Sequence, residues 1–430
     1  MKVIITIVLL VFFSSNSVWA QSLTILIEEM KQNNSFLKGQ QLRIHSKLLQ
    51  KEYSSTPTAT SVGLEISQIP FNTLNLTGKS LSNSLTITQM FPLGSMYSLR
   101  EKEAGLRVTM SNLQFKERFQ MLKRELGLMY YELAFMRERI ALENQKIGLM
   151  YQQLELMASM LQMNMSDNSV YLKMLSEIKM MEIDRDKMLN QSDAMVPEIN
   201  AMLGRKELDK AVTTEIYRLE DSVYVLEQEF KSIDLLMEKN KIDMIENEDF
   251  MSKDELYPEL MLSFMLMHMP RGMIITTGDD MMMLTGKPHS EFMYSIMASI
   301  TLPFLPWVSN GIGKKIESKE VELKAALEEY NAKELEYSAI IQKMKREIKT
   351  IRDQRFKINN ELFPLIDHEL ENALQKSALR EVSIEKVLEI KIRRIDMEIQ
   401  MNELLKQECL ISHALSTELE LNYTNEITNE

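Results

Sequence analysis

The chain has 430 residues, with 50 Lys and Arg against 62 Asp and Glu and a formal net charge of -12. An acidic surface argues against nucleic acid as a partner, and a single cysteine, Cys409, excludes an intrachain disulfide. Methionine is the outlier: of 35, eleven lie between Met251 and Met297 and only three after Leu302.

The first twenty residues read as a secretory signal. Lys2 is the basic n-region, Val3 to Phe13 the apolar core, and Ser17-Val18-Trp19-Ala20 the cleavage site. The mature chain is expected to start at Gln21 and, having lost Lys2, to carry -12 minus one, or -13. No Cys follows the cleavage site, so no acylated N-terminus is expected. No other stretch approaches the roughly 18–20 apolar residues of a spanning helix.

From Leu23 to about Tyr53 an apolar stripe of helical period, ended by Pro57, predicts one helix of roughly thirty residues. The period then changes to two. Val62, Leu64 and Ile66 face one way, Gly63, Glu65 and Ser67 the other, and Leu85 and Ile87 alternate with Thr86, Thr88 and Met90, predicting a hairpin over about 58–92. A helix from about Ser95 to Met165 comes next, on the order of 100 Å at 1.5 Å per residue. It breaks at Asn164–Ser169, and a shorter helix runs to Leu203-Gly204-Arg205.

The same order then recurs. A helix over Arg218–Asp249 is succeeded by a hairpin at about 257–304, a long helix from Lys314 towards Lys376, and a last helix from Ser383 to Glu418. Pro57 and Pro258 precede the first strands, 201 residues apart, and Pro92 and Pro303 come after the second strands, 211 apart. The chain is a duplication, with a first repeat over 21–205 and a second over 206–430. Ile341, Met344, Ile348, Ile351, Ile358, Leu362 and Leu365 keep heptad spacing, interrupted by Arg355, which predicts coiled-coil packing.

In the second hairpin Leu260, Leu262, Phe264 and Leu266 share a face with Phe292, Tyr294, Ile296, Ala298, Ile300 and Leu302, while Met261, Ser263, Met265, Met267 and Met269 share the other with Met293, Ser295, Met297, Ser299 and Thr301. One lipid-compatible face and one semi-polar face are what a transmembrane barrel strand requires. Four strands cannot close such a barrel, because open edges in lipid leave backbone groups unpaired. The chain is expected to oligomerise.

The chain resembles the TolC-like outer-membrane efflux family, including its heavy-metal and copper branch. The likeness rests on Leu85-Thr86-Ile87-Thr88-Gln89-Met90-Phe91-Pro92-Leu93-Gly94, its counterpart Ala298-Ser299-Ile300-Thr301-Leu302-Pro303-Phe304, the helix end Ile199-Asn200-Ala201-Met202-Leu203-Gly204, and Leu362-Phe363-Pro364. The resemblance implies a mostly α chain with a four-stranded β contribution. It also implies a homotrimeric twelve-stranded β-barrel in outer-membrane lipid, continued by a periplasmic α-helical coiled-coil barrel that docks on an adaptor protein and an inner-membrane transporter. The turns near Met163–Tyr171 and Ser377–Ser383 would form the periplasmic entrance. The absent N-terminal Cys and the long, Met-rich loop Pro270–Ser290 depart from the pattern of some members.

Thioethers are soft ligands that favour Cu(I) and Ag(I). Met261, Met265, Met267, Met269, Met293 and Met297 would line a metal path, extended by Met273, Met281, Met282 and Met283 of the loop with Asp279, Asp280, His268 and His289 nearby. Glu65, on the same side of the first hairpin, would either attract cations or stand as a plain solvated carboxylate. Methionine is also an adaptable apolar filler, the expected role of Met121, Met129, Met136, Met150, Met157, Met160, Met174, Met181, Met188 and Met202. No GxSxG, HExxH or Walker pattern is present, so neither an enzyme nor a cofactor is expected. The expected function is a passive exit duct for monovalent copper, silver or other heavy-metal ions. A duct for drugs or other small organic molecules and a periplasmic coiled-coil scaffold are the alternatives.

Overall fold

A computed structural model describes residues 22–67, 80, 82–162, 168–214, 232–269, 291–379 and 383–419. The signal segment, residues 164–167 of the predicted break, the predicted helix start at Arg218 and the loop 270–290 lie outside the described residues, while Asn168 and Ser169 of that break already belong to the next helix. Helices α1 (Leu23–Asn33) and α2 (Ser35–Ser54) precede strands β1 (Ser61–Ser67) and β2 (Ser82–Pro92), then α3 (Met96–Gln162), α4 (Asn168–Met202) and α5 (Ile233–Asp254). Strands β3 (Glu259–Met269) and β4 (Glu291–Ile300) come next. After them stand α6 (Pro306–Lys357), a π-helical turn (Ile358–Leu362), α7 (Phe363–Ala378) and α8 (Ile384–Leu419). No described helix is long and apolar enough to cross a membrane. The chain divides into two compact units, one of Arg43–Asn112 and Met237–Asn331, the other of Met1–Leu42, Leu113–Leu236 and Ala332–Glu430.

The first unit holds the strands, in one antiparallel sheet of order β1-β2-β3-β4. β1 pairs with β2 and β3 with β4, and the pairing of β2 with β3 joins the two pairs. Below the sheet, α5 presents Asn240, Asn247 and Asp254, seven residues apart and all at most 6% exposed, to the start of α3. Asn240 Nδ2 donates to the Leu106 carbonyl at 3.1 Å and Asn247 Nδ2 to that of Leu99 at 3.0 Å. Asp254 completes the row by accepting from the backbone N–H of Ser95 at 2.8 Å and from its hydroxyl at 2.9 Å. A carboxylate from another helix thus caps α3, where the first N–H groups have no partner of their own. Ion pairs of Lys319 with Glu248 and of Lys315 with Glu255 join α6 to the same region.

The second unit is helical. Its main core gathers Leu26, Met30, Leu37, Leu122, Leu126, Tyr130, Leu133, Phe135, Ile199 and Leu203 from α1 to α4, with Cys409 of α8. The helix predicted across Leu23–Tyr53 is two. Asn34 breaks it with ψ 118°, its Oδ1 accepting from the N–H groups of Phe36 and Leu37 and its Nδ2 donating to the Met202 carbonyl. Capping of α2 by an Asx side chain outweighs continuation of the stripe. The end of α4 is as expected: Gly204 has φ 73°, its N–H bonds the Ala201 carbonyl, and that of Arg205 bonds Asn200. Arg205 then forms a two-pronged pair with Glu29, both contacts 2.6 Å, and this holds the Glu29 carboxyl below its usual range.

Three further expectations are corrected. The long helix of the second half begins at Pro306 rather than Lys314, because Pro suits a first helical position and α6 tolerates Gly311 and Gly313. Helix α5 runs past Asp249 to Asp254. The heptad of Ile341, Ile348, Ile351 and Ile358 is buried as predicted, but Leu362 and Leu365 are 42% and 66% exposed, and Ile366 and Ala373 are buried in their place. The π turn explains the slip. Pro364 has no N–H, and its ring crowds the carbonyl four residues back; one extra residue in the turn relieves the clash and moves the buried seam on by one position. Arg355, the interruption in the heptad, reaches Glu408 of α8 together with Arg352.

Met150 and Met174 are core residues, but Met121 is 49% exposed. His413 of α8 is 4% exposed and lies over Gly127 of α3, where a Cβ would fall on the imidazole ring. Its Nε2 faces the Lys123 carbonyl at 3.3 Å, and burial holds its pKa below the ordinary 6.5.

The helical unit can be tested at two places. Gly204→Ala places a Cβ about 2.7 Å from the Asn33 carbonyl oxygen at a left-handed position, so a loss of at least about 1–2 kcal/mol is expected, read as a lower thermal midpoint of the helical signal. His413 is held neutral and Glu29 ionised, so each favours the folded state most at higher pH. Stability should fall as pH drops below about 6.5 and again below about 4.5. The upper step should be missing from His413→Gln in pH-dependent unfolding.

Candidate functional site

The register of the sheet fixes which side chains share a face, since directly paired residues point the same way. On one face stand Val62, Leu64 and Ile66 of β1; Leu85, Ile87 and Phe91 of β2; Leu260, Leu262, Phe264 and Leu266 of β3; and Phe292, Tyr294, Ile296, Ala298 and Ile300 of β4. The predicted faces of the second hairpin are those observed.

The opposite face is laid out in rows across the strands. Counted from the helix end, the first row is Met90, Met261 and Ser299, and the second Ser61, Thr88, Ser263 and Met297. The third is Gly63, Thr86, Met265 and Ser295, the fourth Glu65, Ser84, Met267 and Met293, and Met269 pairs with Glu291 in the fifth. Hydroxyls interleave with the thioethers. Thr88 and Ser263 bond at 2.9 Å, Ser67 and Ser82 at 2.6 Å, and Ser84 and Ser263 are buried.

The exposure of the two faces is inverted relative to a sheet packed on an aqueous protein's core. In the single chain Leu64 is 82% exposed, Tyr294 75%, Ile296 73% and Phe292 71%. The hydroxyl and thioether face is the more covered one along β2 and β3. Among the described residues no strand pairs with the outer edge of β1 or of β4.

Of the predicted path residues, the structure brings together Met261, Met265, Met267, Met269, Met293, Met297 and Glu65 on one face. Met273, Met281, Met282, Met283, Asp279, Asp280 and His289 lie outside the described residues. His268 does not join the path. It pairs with Asn83 and Phe292 and stacks on the Phe292 ring at 4.6 Å, on the aliphatic face. Sequence reasoning misses Met90, opposite Met261, and Glu291 and Glu259, the carboxylates of this face at the two ends of the second hairpin. Alternation alone assigns all three to the face; the register between hairpins is what brings them to the path. Among the described residues no group of three His, Cys, Asp or Glu could hold a metal ion.

The sequence matches no family model and no curated protein. The structure matches solved membrane channels over nearly the whole chain. CusC, a protein studied for folding and transmembrane channel formation, is 12% identical, with 93% of this chain and 92% of that one covered and a TM-score of 0.72. The outer-membrane channel CmeC of Campylobacter jejuni is 13% identical, with 92% and 85% covered and a TM-score of 0.69. The open state of the MtrE outer-membrane channel of Neisseria gonorrhoeae is also 13% identical, with 92% and 88% covered and a TM-score of 0.61. The chain has the fold of these outer-membrane channels, the TolC-like fold to which residues 85–94 and 298–304 pointed.

Proposed function

We propose that this protein is the outer-membrane exit duct of a tripartite efflux pump. The observation that carries the reading is the inverted sheet: the aliphatic face stands uncovered on all four strands, and along the two central strands, β2 and β3, the hydroxyl and thioether face is the more sheltered one. Uncovered aliphatic surface on a sheet is stable against acyl chains, and a face of hydroxyls, thioethers and a few carboxylates suits a water-filled lumen. Free edges at β1 and β4 are untenable in lipid. Three chains pairing β4 of one with β1 of the next remove every edge and give a twelve-stranded barrel. The helices serve as the periplasmic tunnel that meets an adaptor and an inner-membrane transporter, which supplies the energy.

The cargo on this reading is monovalent copper or silver, or another heavy-metal ion, drawn by the methionines of the lumen face. Export of drugs or other small organic molecules through the same duct is the second reading. A deletion strain separates them, by sensitivity to silver and copper salts in the first case and to organic toxicants in the second.

Extraction of the protein only by detergent, migration of the unheated sample as a trimer, and ion conductance in planar lipid bilayers are the expected results. A protein released by salt alone as a monomer overturns the reading in favour of a periplasmic scaffold. Adjacent residues of β4 give a sharper test. Ile296→Arg puts a charge on the lipid side at a cost of about 2–4 kcal/mol near the midplane, so the folded protein recovered from outer membranes should fall sharply. Ser295→Arg, on the lumen side, should leave that amount unchanged and alter conductance instead.

A further inference from the structure

The thioethers of the sheet are sorted by face. Met90, Met261, Met265, Met267, Met269, Met293 and Met297 all stand on the hydroxyl face, and among the described residues no strand methionine stands on the aliphatic one. Methionine used as apolar filler would be as welcome beside Leu262 and Ile296 as beside Ser263 and Ser295. Its confinement to the semi-polar side calls for something only that side meets.

The sorting also has an order along the strands. Each of the five rows carries at least one thioether, and where β3 has Ser263 in the second row, β4 supplies Met297. Rows lie two residues apart, about 6.8 Å, so the series covers about 27 Å, close to the roughly 25 Å apolar band of an outer-membrane barrel. Directly opposed side chains have Cβ atoms about 4.5–5.5 Å apart. Long, flexible thioethers at that separation, as at Met267 and Met293, can close on one ion together. Carboxylates flank the series, with Glu259 at the helix end and Glu65 and Glu291 at the loop end.

We propose that this face is a binding track for soft monovalent metal ions, Cu(I) or Ag(I). Its tightest position is the Met267 and Met293 pair, with Met265 and Met269 two residues to either side along β3. The proposal rests on the duct reading and names the ligands that its cargo would meet. Soft sulfur discriminates against the hard cations of the medium. Many neutral, weak positions at even spacing let an ion leave as readily as it enters, and the carboxylates at each end raise the local cation concentration. Each chain carries a complete track, so binding does not depend on a neighbouring chain contributing a ligand.

The test uses the full-length detergent-solubilised protein titrated with silver nitrate in chloride-free buffer, and with Cu(I) under anaerobic conditions. Silver uptake is read by calorimetry and by metal analysis after gel filtration. Met267→Leu/Met293→Leu preserves side-chain volume and should lose the tightest silver uptake. Replacing all seven strand methionines by leucine should abolish the strand-dependent share. The control is Met121→Leu/Met180→Leu, at helix positions 49% and 64% exposed, which should retain the wild-type isotherm. Silver uptake by the seven-fold variant equal to wild type, or a loss in the helix control as large as in the strand pair, overturns the proposal. Planar-bilayer conductance of the same samples separates the two readings. A conducting protein whose uptake ignores the strand methionines keeps the duct and loses the track. A non-conducting protein that still loses silver on Met267→Leu/Met293→Leu keeps the site and loses the duct.

Discussion

The structure depends on one carboxylate where helices give way to strands. Asp254 ends α5, lies five residues before β3, and accepts from the Ser95 N–H and hydroxyl at the start of α3. A helix of 67 residues has a positive N-terminal end, and here the neutralising charge comes from the end of α5, 159 residues on in sequence. The link also fixes the sheet. The Leu93 N–H donates to the Pro258 carbonyl at 3.2 Å beside it, so the register of β2 on β3 is set where Asp254 holds the two chain segments together. Asn240 and Asn247, two and one heptads before Asp254, keep α5 from sliding along α3, because a one-turn shift would strand buried amides away from the Leu106 and Leu99 carbonyls.

The same device recurs in the helical unit. Asn34 donates to the Met202 carbonyl and Asn402 to that of Phe135, each from a buried position. Apolar packing by Leu26, Leu126 or Ile199 favours contact without fixing its phase. Buried amides give these helices their alignment, since each has few carbonyls within reach and a high cost of missing them.

The sheet and its faces are legible in the sequence because strand alternation has a period of two that only burial on one side can enforce. Leu260 to Leu266 and Phe292 to Ile300 fall where predicted, and Gly204 stops α4 as expected, its positive φ requiring glycine. The break at Asn34 is hidden under an unbroken apolar stripe, although Asn33-Asn34-Ser35 carries a cap signal. The early start of α6 is masked by Gly311 and Gly313, which signal a break more loudly than Pro306 signals a beginning. A heptad extended through Pro364 puts Leu362 and Leu365 in the buried seam, because spacing cannot show the effect of that ring on the turn before it. Of the candidate site, the side of each strand is readable, but the pairing of β2 with β3 that brings Met90 to Met261 depends on contacts 171 residues apart in sequence.

The slipped seam at Ile358–Leu362 also governs the helix beyond it. One extra residue rotates the downstream segment by about 100°, so this short turn works as a phase adjuster between α6 and α7. Loss of one residue there would turn Ile366 and Ala373 away from Val387 and Ile390 of α8, the contacts they now make.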